Sequence, residues 1–191
     1  ISRYQQAIPL YPEVAHIPML AYVPGRKGGR RISQYTQTVD LMPTVCDLMG
    51  VDIPPSVQAR SMAPFLKGSR KAGPSHVICS PTISHEGLQV PHPTSRSSIY
   101  SGDWLLVYGS QVDKITDRET TNMVDSVLRQ VRTLEKGPIR PALYNLKRDP
   151  DCRRNVIGAH KNVAGRLHKH YLRFLENANV PERHLQFFRS L

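Results

Sequence analysis

Few residue groups in this chain have the types and spacing that chemistry requires. Three histidines, His160, His168 and His170, lie close together near the C-terminus. A zinc site needs three or four converging ligands, and no acidic residue stands at ligand spacing beside this group, so a solvated helix face is the expectation. The three cysteines, Cys46, Cys79 and Cys152, form no CxxC pair, which excludes a zinc ribbon and a disulfide framework as readings. Cys46 and Cys79 fall in apolar surroundings that suit plain core thiols. His85 and His92 lie in a proline-rich stretch over residues 80–95, and Arg96 follows it. Loops on a rigid scaffold carry specificity, and a guanidinium suits an anionic group. These three residues are candidates for substrate contact, not for bond-making chemistry.

The chain has 191 residues and a formal charge of +11, from 26 Lys and Arg against 15 Asp and Glu. Such a balance favours anionic partners. The basic residues are dispersed over Arg26-Lys27, Arg30-Arg31, Lys67 to Lys71, Lys147-Arg148, Arg153-Arg154 and the last helical stretch. Aromatic residues do not interleave with them in the way RNA-binding modules require, so nucleic acid is not an expected partner. No apolar run reaches the 18 residues or so of a membrane span. The opening at Ile1 lacks the charged and apolar regions of a signal peptide. It reads as a chain cut from a longer one, and localisation is not legible from it.

The elements that must position these residues follow from periodicity. Ile17-Pro18-Met19-Leu20-Ala21-Tyr22-Val23, ended by Pro24-Gly25, predicts a buried strand of a parallel or mixed sheet. Its missing neighbours would leave an exposed apolar sheet edge. The stretch Asp40 to Gly50 predicts a buried helix: Asp40 as its N-cap, Pro43 in the tolerant first turn, and Leu41, Val45, Leu48 and Met49 on one apolar face. Gly50 supplies its C-cap. Ser61 to Leu66 is a second short helical piece, and residues 67–74 read as a linker. Beyond them, His76 to Cys79 predicts a strand. Ser101-Gly102-Asp103, between Ser97–Tyr100 and Trp104–Tyr108, predicts a hairpin. Leu143 to Leu146 predicts a further strand. An amphipathic helix is expected at about 119–136, and a final one at about 160–178, where Val163, Leu167, Tyr171, Phe174 and Leu175 form the apolar stripe.

Several stretches, taken in order, resemble the C-terminal portion of sulfatases. Tyr11 to Leu20 is similar to their LYxExxxxPL segment, Thr38 to Gly50 to a TxDLxPTxxxxxG helix, and Ser61 to Gly68 to an SLxPxLxG piece. Leu143 to Pro150 with Asn155 resembles LYDLxxDPxExxN, and Gly102-Asp103-Trp104 a GDWKL hairpin. Leu105 and Cys152 depart from the Lys and Glu usual at those places. The resemblance implies an α/β, alkaline-phosphatase-like fold. Residues 1–70 would be the end of its large mixed-sheet domain. Residues 75–191 would be a small subdomain with an antiparallel sheet and a C-terminal helix.

The resemblance also implies hydrolysis of sulfate esters by a formylglycine, made from Cys or Ser in a C/S-x-P-x-R motif. A divalent cation, usually Ca²⁺, would neutralise the sulfate oxygens. No such motif surrounds Cys46, Cys79 or Cys152, and no Asp-Asp or Asp-His-Gly metal motif appears. Catalytic and metal-binding residues in this chain are therefore expected to be none, with the reactive centre in an N-terminal part of the same protein. His16, just before the expected core strand, joins His85, His92 and Arg96 as a candidate contact to an anionic sulfated substrate. A phosphonate or phosphate ester hydrolase of the same superfamily, or a non-catalytic polyanion-binding module, are the alternative readings.

Overall fold

The computed structural model describes residues 11–25, 28–69, 73–80, 96–109 and 140–191. The expected helix at about 119–136 lies outside them, as do His85 and His92. Two compact units form, one from the described parts of Ile1–Ile17 and Ile78–Leu191, the other from Pro18–Val77.

The first unit is built on a four-stranded sheet with strands in the order β1 (Val77–Cys79), β2 (Arg96–Ser101), β3 (Trp104–Gly109), β4 (Ala142–Asn145). Strands β2 and β3 are antiparallel, pairing Arg96 with Gly109 through Ser101 with Trp104. Strand β4 adds antiparallel to β3, with Leu143 opposite Leu106. The hairpin forms because Gly102 takes a φ of 56° at the first of two central positions, where an L side chain is strained.

Pleating divides the sheet into two faces. Ser97, Ile99, Leu106, Tyr108 and Leu143 share one, and the long helix α4 (Lys161–Asn177) packs its Ala164, Leu167, Tyr171 and Leu175 into the same core. Each such leucine withdrawn from water contributes about 1.5–3 kcal/mol. The opposite face carries Tyr100, Leu105, Val107 and Tyr144, all buried. Tyr11, just before the short helix α1 (Pro12–Ala15), sets its ring edge-on to Tyr144 at 6.0 Å. Burial pushes the Tyr100 and Tyr144 hydroxyls well above the ordinary phenol range. Both sheet faces are therefore covered.

The β4–α4 connection is held by two polar side chains. Asp149 accepts the N–H groups of Arg153 and Arg154 at 3.0 and 2.8 Å. The Asn155 carbonyl oxygen accepts those of Leu143 and Ile157, each at 3.0 Å, and its amide donates to the Pro141 carbonyl at 3.3 Å. Asn155 thus ties the start of β4 to the entry of α4. Asn155→Ala leaves the half-buried N–H of Leu143 without that acceptor and should lower stability by about 1–3 kcal/mol. Urea unfolding of the two forms checks this, and an unchanged midpoint would refute it.

The chain ends in α5 (Glu182–Leu185) and a 3-10 turn (Gln186–Phe188), whose Leu185 and Phe188 join the sheet core.

The second unit departs from two expectations. Pro18–Val23 is not a strand, and most of its apolar side chains are exposed: Leu20 is 100% accessible and Tyr22 87%, with Val23 half-buried. A strand needs a partner for its backbone groups, and the described residues bring none to this segment. Helix α2 (Leu41–Met49) is capped by Gly50 at φ 69° as the sequence predicts, and Asp40 stands at its N-cap position, but the Asp40 side chain accepts no hydrogen bond from the first turn of the helix. Asp40 ends a preceding 3-10 turn, Thr38–Asp40, and its carboxylate reaches back to the Gln37 N–H at 2.9 Å. The chain has already turned at Thr38, so the orphan donor within reach lies three residues earlier.

Helix α2 is also turned the opposite way from a buried scaffold helix. Its polar row, Asp40, Thr44 and Asp47, faces the loop that leads into α3 (Ala63–Leu66). Asp40 accepts the Arg60 N–H at 3.1 Å, Thr44 Oγ1 accepts the Met62 N–H at 2.8 Å, and Asp47 takes the Ser61 hydroxyl at 2.6 Å. The row one position on, Leu41, Val45 and Leu48, is exposed, with Met49 beside it. Spacing fixes which residues share a face; the tertiary partner decides which face is inside.

Candidate functional site

Of the four expected substrate contacts, two lie within the described residues. His16 follows α1, its N–H bonded to the Pro12 carbonyl, and its side chain is exposed. Arg96 is the first residue of β2, opposite Gly109, and is 7% accessible. It belongs to the sheet rather than to a loop, so reaching a substrate through it means reaching a buried guanidinium.

No group of three or more His, Cys, Asp or Glu side chains converges among the described residues. The two best-placed carboxylates are engaged by the protein itself. Ser61 and then Lys67 hold Asp47 below the ordinary carboxylate range, and the N–H groups of Arg154 and Arg153 do the same for Asp149. A hard cation such as Ca²⁺ requires six to eight oxygen ligands, and these residues do not fit that requirement. The Cys79 and Cys152 thiols are equally unsuited to nucleophilic work, which needs a depressed pKa. Burial raises Cys79, while burial followed by the Asp149 charge raises Cys152 to about 11.

The histidines divide. His168 is not on the polar face of α4 but buried, while Phe174, expected in the apolar stripe, is largely exposed. The buried positions Ala164, Leu167, His168, Tyr171 and Leu175 centre the core stripe about one residue away from the expected one. His168 Nε2 lies 2.7 Å from the Phe188 carbonyl and therefore carries the proton as donor. Its ring packs against that of Tyr108, with centroids 4.7 Å apart and planes tilted by 54°. The Tyr108 hydroxyl donates to the Phe188 carbonyl at 2.9 Å and also contacts the Ser190 carbonyl. Ser97 and Tyr171 share a buried hydrogen bond of 2.9 Å. Burial raises the Tyr171 hydroxyl to about 12. This cluster is structural, and it pins the C-terminal segment to the sheet.

Burial lowers the pKa of His168 below its ordinary value of 6.5, against the opposing effect of its bond to Phe188. A depressed histidine pKa means that the unfolded chain takes up the proton first. Its stabilising contribution is complete above about pH 6.5 and declines as pH falls towards the folded-state pKa. Thermal melts should therefore show the melting temperature falling from pH 7 to pH 5, with a shallower slope in His168→Gln. An equal slope in both proteins would contradict the assignment. His170 and His184, depressed by partial burial and neighbouring arginines, add a smaller component of the same sign.

One further concentration of charge lies on the solvent side of α4. Asn162, Gly165, Arg166, Lys169, His170 and Arg173 line a shallow recess of about 410 Å³. The sequence shows these as separate basic residues; the helical repeat gathers them on one face.

Known proteins with the same features are sulfatases and their structural kin. Residues 4–76 match the family model described as N-sulphoglucosamine sulphohydrolase, C-terminal. Arylsulfatase K of Xenopus laevis is 29% identical over 149 residues, covering 78% of this chain and 24% of that protein. A delta 4,5-hexuronate-2-O-sulfatase of Bacteroides thetaiotaomicron is 36% identical over 97 residues, covering 49% of this chain and 20% of that protein. The chain thus spans about a quarter of the length of the curated relatives it matches. Among solved structures, a phosphonate monoester hydrolase from Silicibacter pomeroyi has a TM-score of 0.58 at 23% identity, over 82% of this chain and 28% of that one. At that identity the likeness shows a shared fold. The ordered motifs and these matches agree: the chain is similar to the C-terminal portion of sulfatases, and its antiparallel sheet with a C-terminal helix shares the fold of that solved structure.

Proposed function

We propose that the protein to which this chain contributes is a hydrolase of sulfate esters, and that this chain supplies scaffold and substrate contacts while the reactive groups lie outside it. The 149-residue similarity to arylsulfatase K carries the reading. Residues 1–70 act as the end of the large domain, and residues 75–191 as the small C-terminal subdomain. The exposed apolar run at Ile17–Val23 and the outward face of α2 support a partner surface, supplied by an N-terminal part of the same protein. The substrate is anionic and sulfated. The 97-residue similarity to a hexuronate sulfatase favours a sulfated, uronate-containing saccharide. His16 is the described candidate best exposed to meet it.

The family chemistry is that of a formylglycine nucleophile with a divalent cation, Ca²⁺, opposite the sulfate oxygens. The described residues do not supply that donor set, and no catalytic step is assigned to them. Phosphonate ester hydrolysis is the second reading, supported by fold likeness alone, and fold does not carry function. Competition between an aryl sulfate and an aryl phosphonate, assayed on a polypeptide extended upstream of Ile1, separates them. Preferential sulfate release supports the proposal, and preferential phosphonate cleavage overturns it.

A further inference from the structure

The solvent face of α4 is one-sided in charge. The helix carries Lys161, Arg166, Lys169 and Arg173 against a single acid, Glu176. Ion pairs elsewhere, such as Lys67 with Asp47 and Arg189 with Glu182, neutralise their own cations. Arg166, Lys169 and Arg173 have no acidic partner among the described residues. They stand at 3- and 4-residue spacing opposite the buried stripe of Ala164, Leu167 and Tyr171, and so project from one ridge. From Arg166 to Arg173 the ridge runs about 10 Å along the axis. Asn162 and His170 add hydrogen-bonding groups, and Gly165 opens the floor of the recess. Two guanidiniums and an ammonium along a polar trough suit successive carboxylates or sulfates on one chain, which guanidiniums engage in bidentate fashion.

We propose that this face of α4 is a binding surface for a sulfated, uronate-containing glycan chain. The choice of glycan over nucleic acid rests on the proposed sulfatase reading and on the lining of the recess, where among the described residues the His170 imidazole is the one ring and no stacking aromatic stands. The binding itself involves no turnover. A failed hydrolysis assay would thus leave it standing, and a failed binding assay would leave the sulfatase reading standing.

The test measures binding of a heparin octasaccharide to the 191-residue chain at fixed salt. The triple variant Arg166→Ser, Lys169→Ser, Arg173→Ser should weaken binding by about tenfold or more. A control removing equal charge from the exposed group Lys147, Arg148 and Arg154 should have a much smaller effect. As a readout that needs no variant, the octasaccharide should slow acetylation of Lys169 in the unmodified chain but not that of Lys147. Equal losses in the two triple variants, unprotected Lys169, or tighter binding of single-stranded poly(U) RNA at the same residues would each overturn the proposal.

Discussion

Replacing Phe188 with alanine should destabilise the chain by about 3–5 kcal/mol, a large effect for a position three residues from the last. Residues this near a terminus ordinarily tolerate change. Phe188 differs because its ring is buried in the sheet core, set edge-on to Tyr171 at 5.7 Å. Truncation removes the ring's transfer free energy and leaves a cavity between α4 and the 3-10 turn. The backbone carbonyl that receives Tyr108 and His168 remains in place, so the variant isolates packing from hydrogen bonding. The neighbouring Arg189 forms an exposed ion pair with Glu182 at 2.8 Å, and Arg189→Ala should shift the unfolding midpoint far less, because solvent screens such a pair. Urea midpoints for the two variants check the contrast. Similar small shifts in both would show that the C-terminal segment is not part of the core.

Leu20→Asp should have opposite consequences in two contexts. In the 191-residue chain Leu20 is fully exposed, and the change should stay within about 0.5 kcal/mol. In a polypeptide that also carries the proposed N-terminal part, the leucine would be covered. There the loss of its burial and the cost of a buried carboxylate should remove about 3 kcal/mol or more. Unfolding midpoints of both forms, with and without the substitution, measure this. A small effect in both would mean that the apolar run of Ile17–Val23 is a surface in the whole protein.

These two positions mark where the sequence is legible and where it is not. The hairpin at Gly102 could be read locally, because turn chemistry and strand alternation both lie within a few residues of it. So could the left-handed cap at Gly50. Phe188 could not: the 3-10 turn around it is too short to show a period, and its burial depends on a sheet some 80 residues earlier in the chain. Helix α2 was legible as amphipathic, but nothing local says which face meets protein. In these residues the polar row of Asp40, Thr44 and Asp47 makes the contacts. The strand expected at Ile17–Val23 fails for the same reason, since strand structure belongs to a pair and not to a segment. At the candidate site, Arg96 reads as the end of a polar loop, yet it opens a buried strand. Ser97 is satisfied there by Tyr171, a partner 74 residues away.

The basic ridge of α4 was present in the sequence as dispersed cations. It becomes a surface only when the helix phase is fixed, and the burial of His168 fixes it by placing Arg166, Lys169 and Arg173 on the far side.

The central proposal is that this chain is part of a sulfatase whose reactive groups lie outside these residues. Sulfate release from an aryl sulfate in the presence of Ca²⁺ tests it most directly, comparing the 191-residue chain with the polypeptide extended upstream of Ile1. The account predicts no release by the chain alone and turnover by the extended protein. Turnover by the chain alone would contradict it.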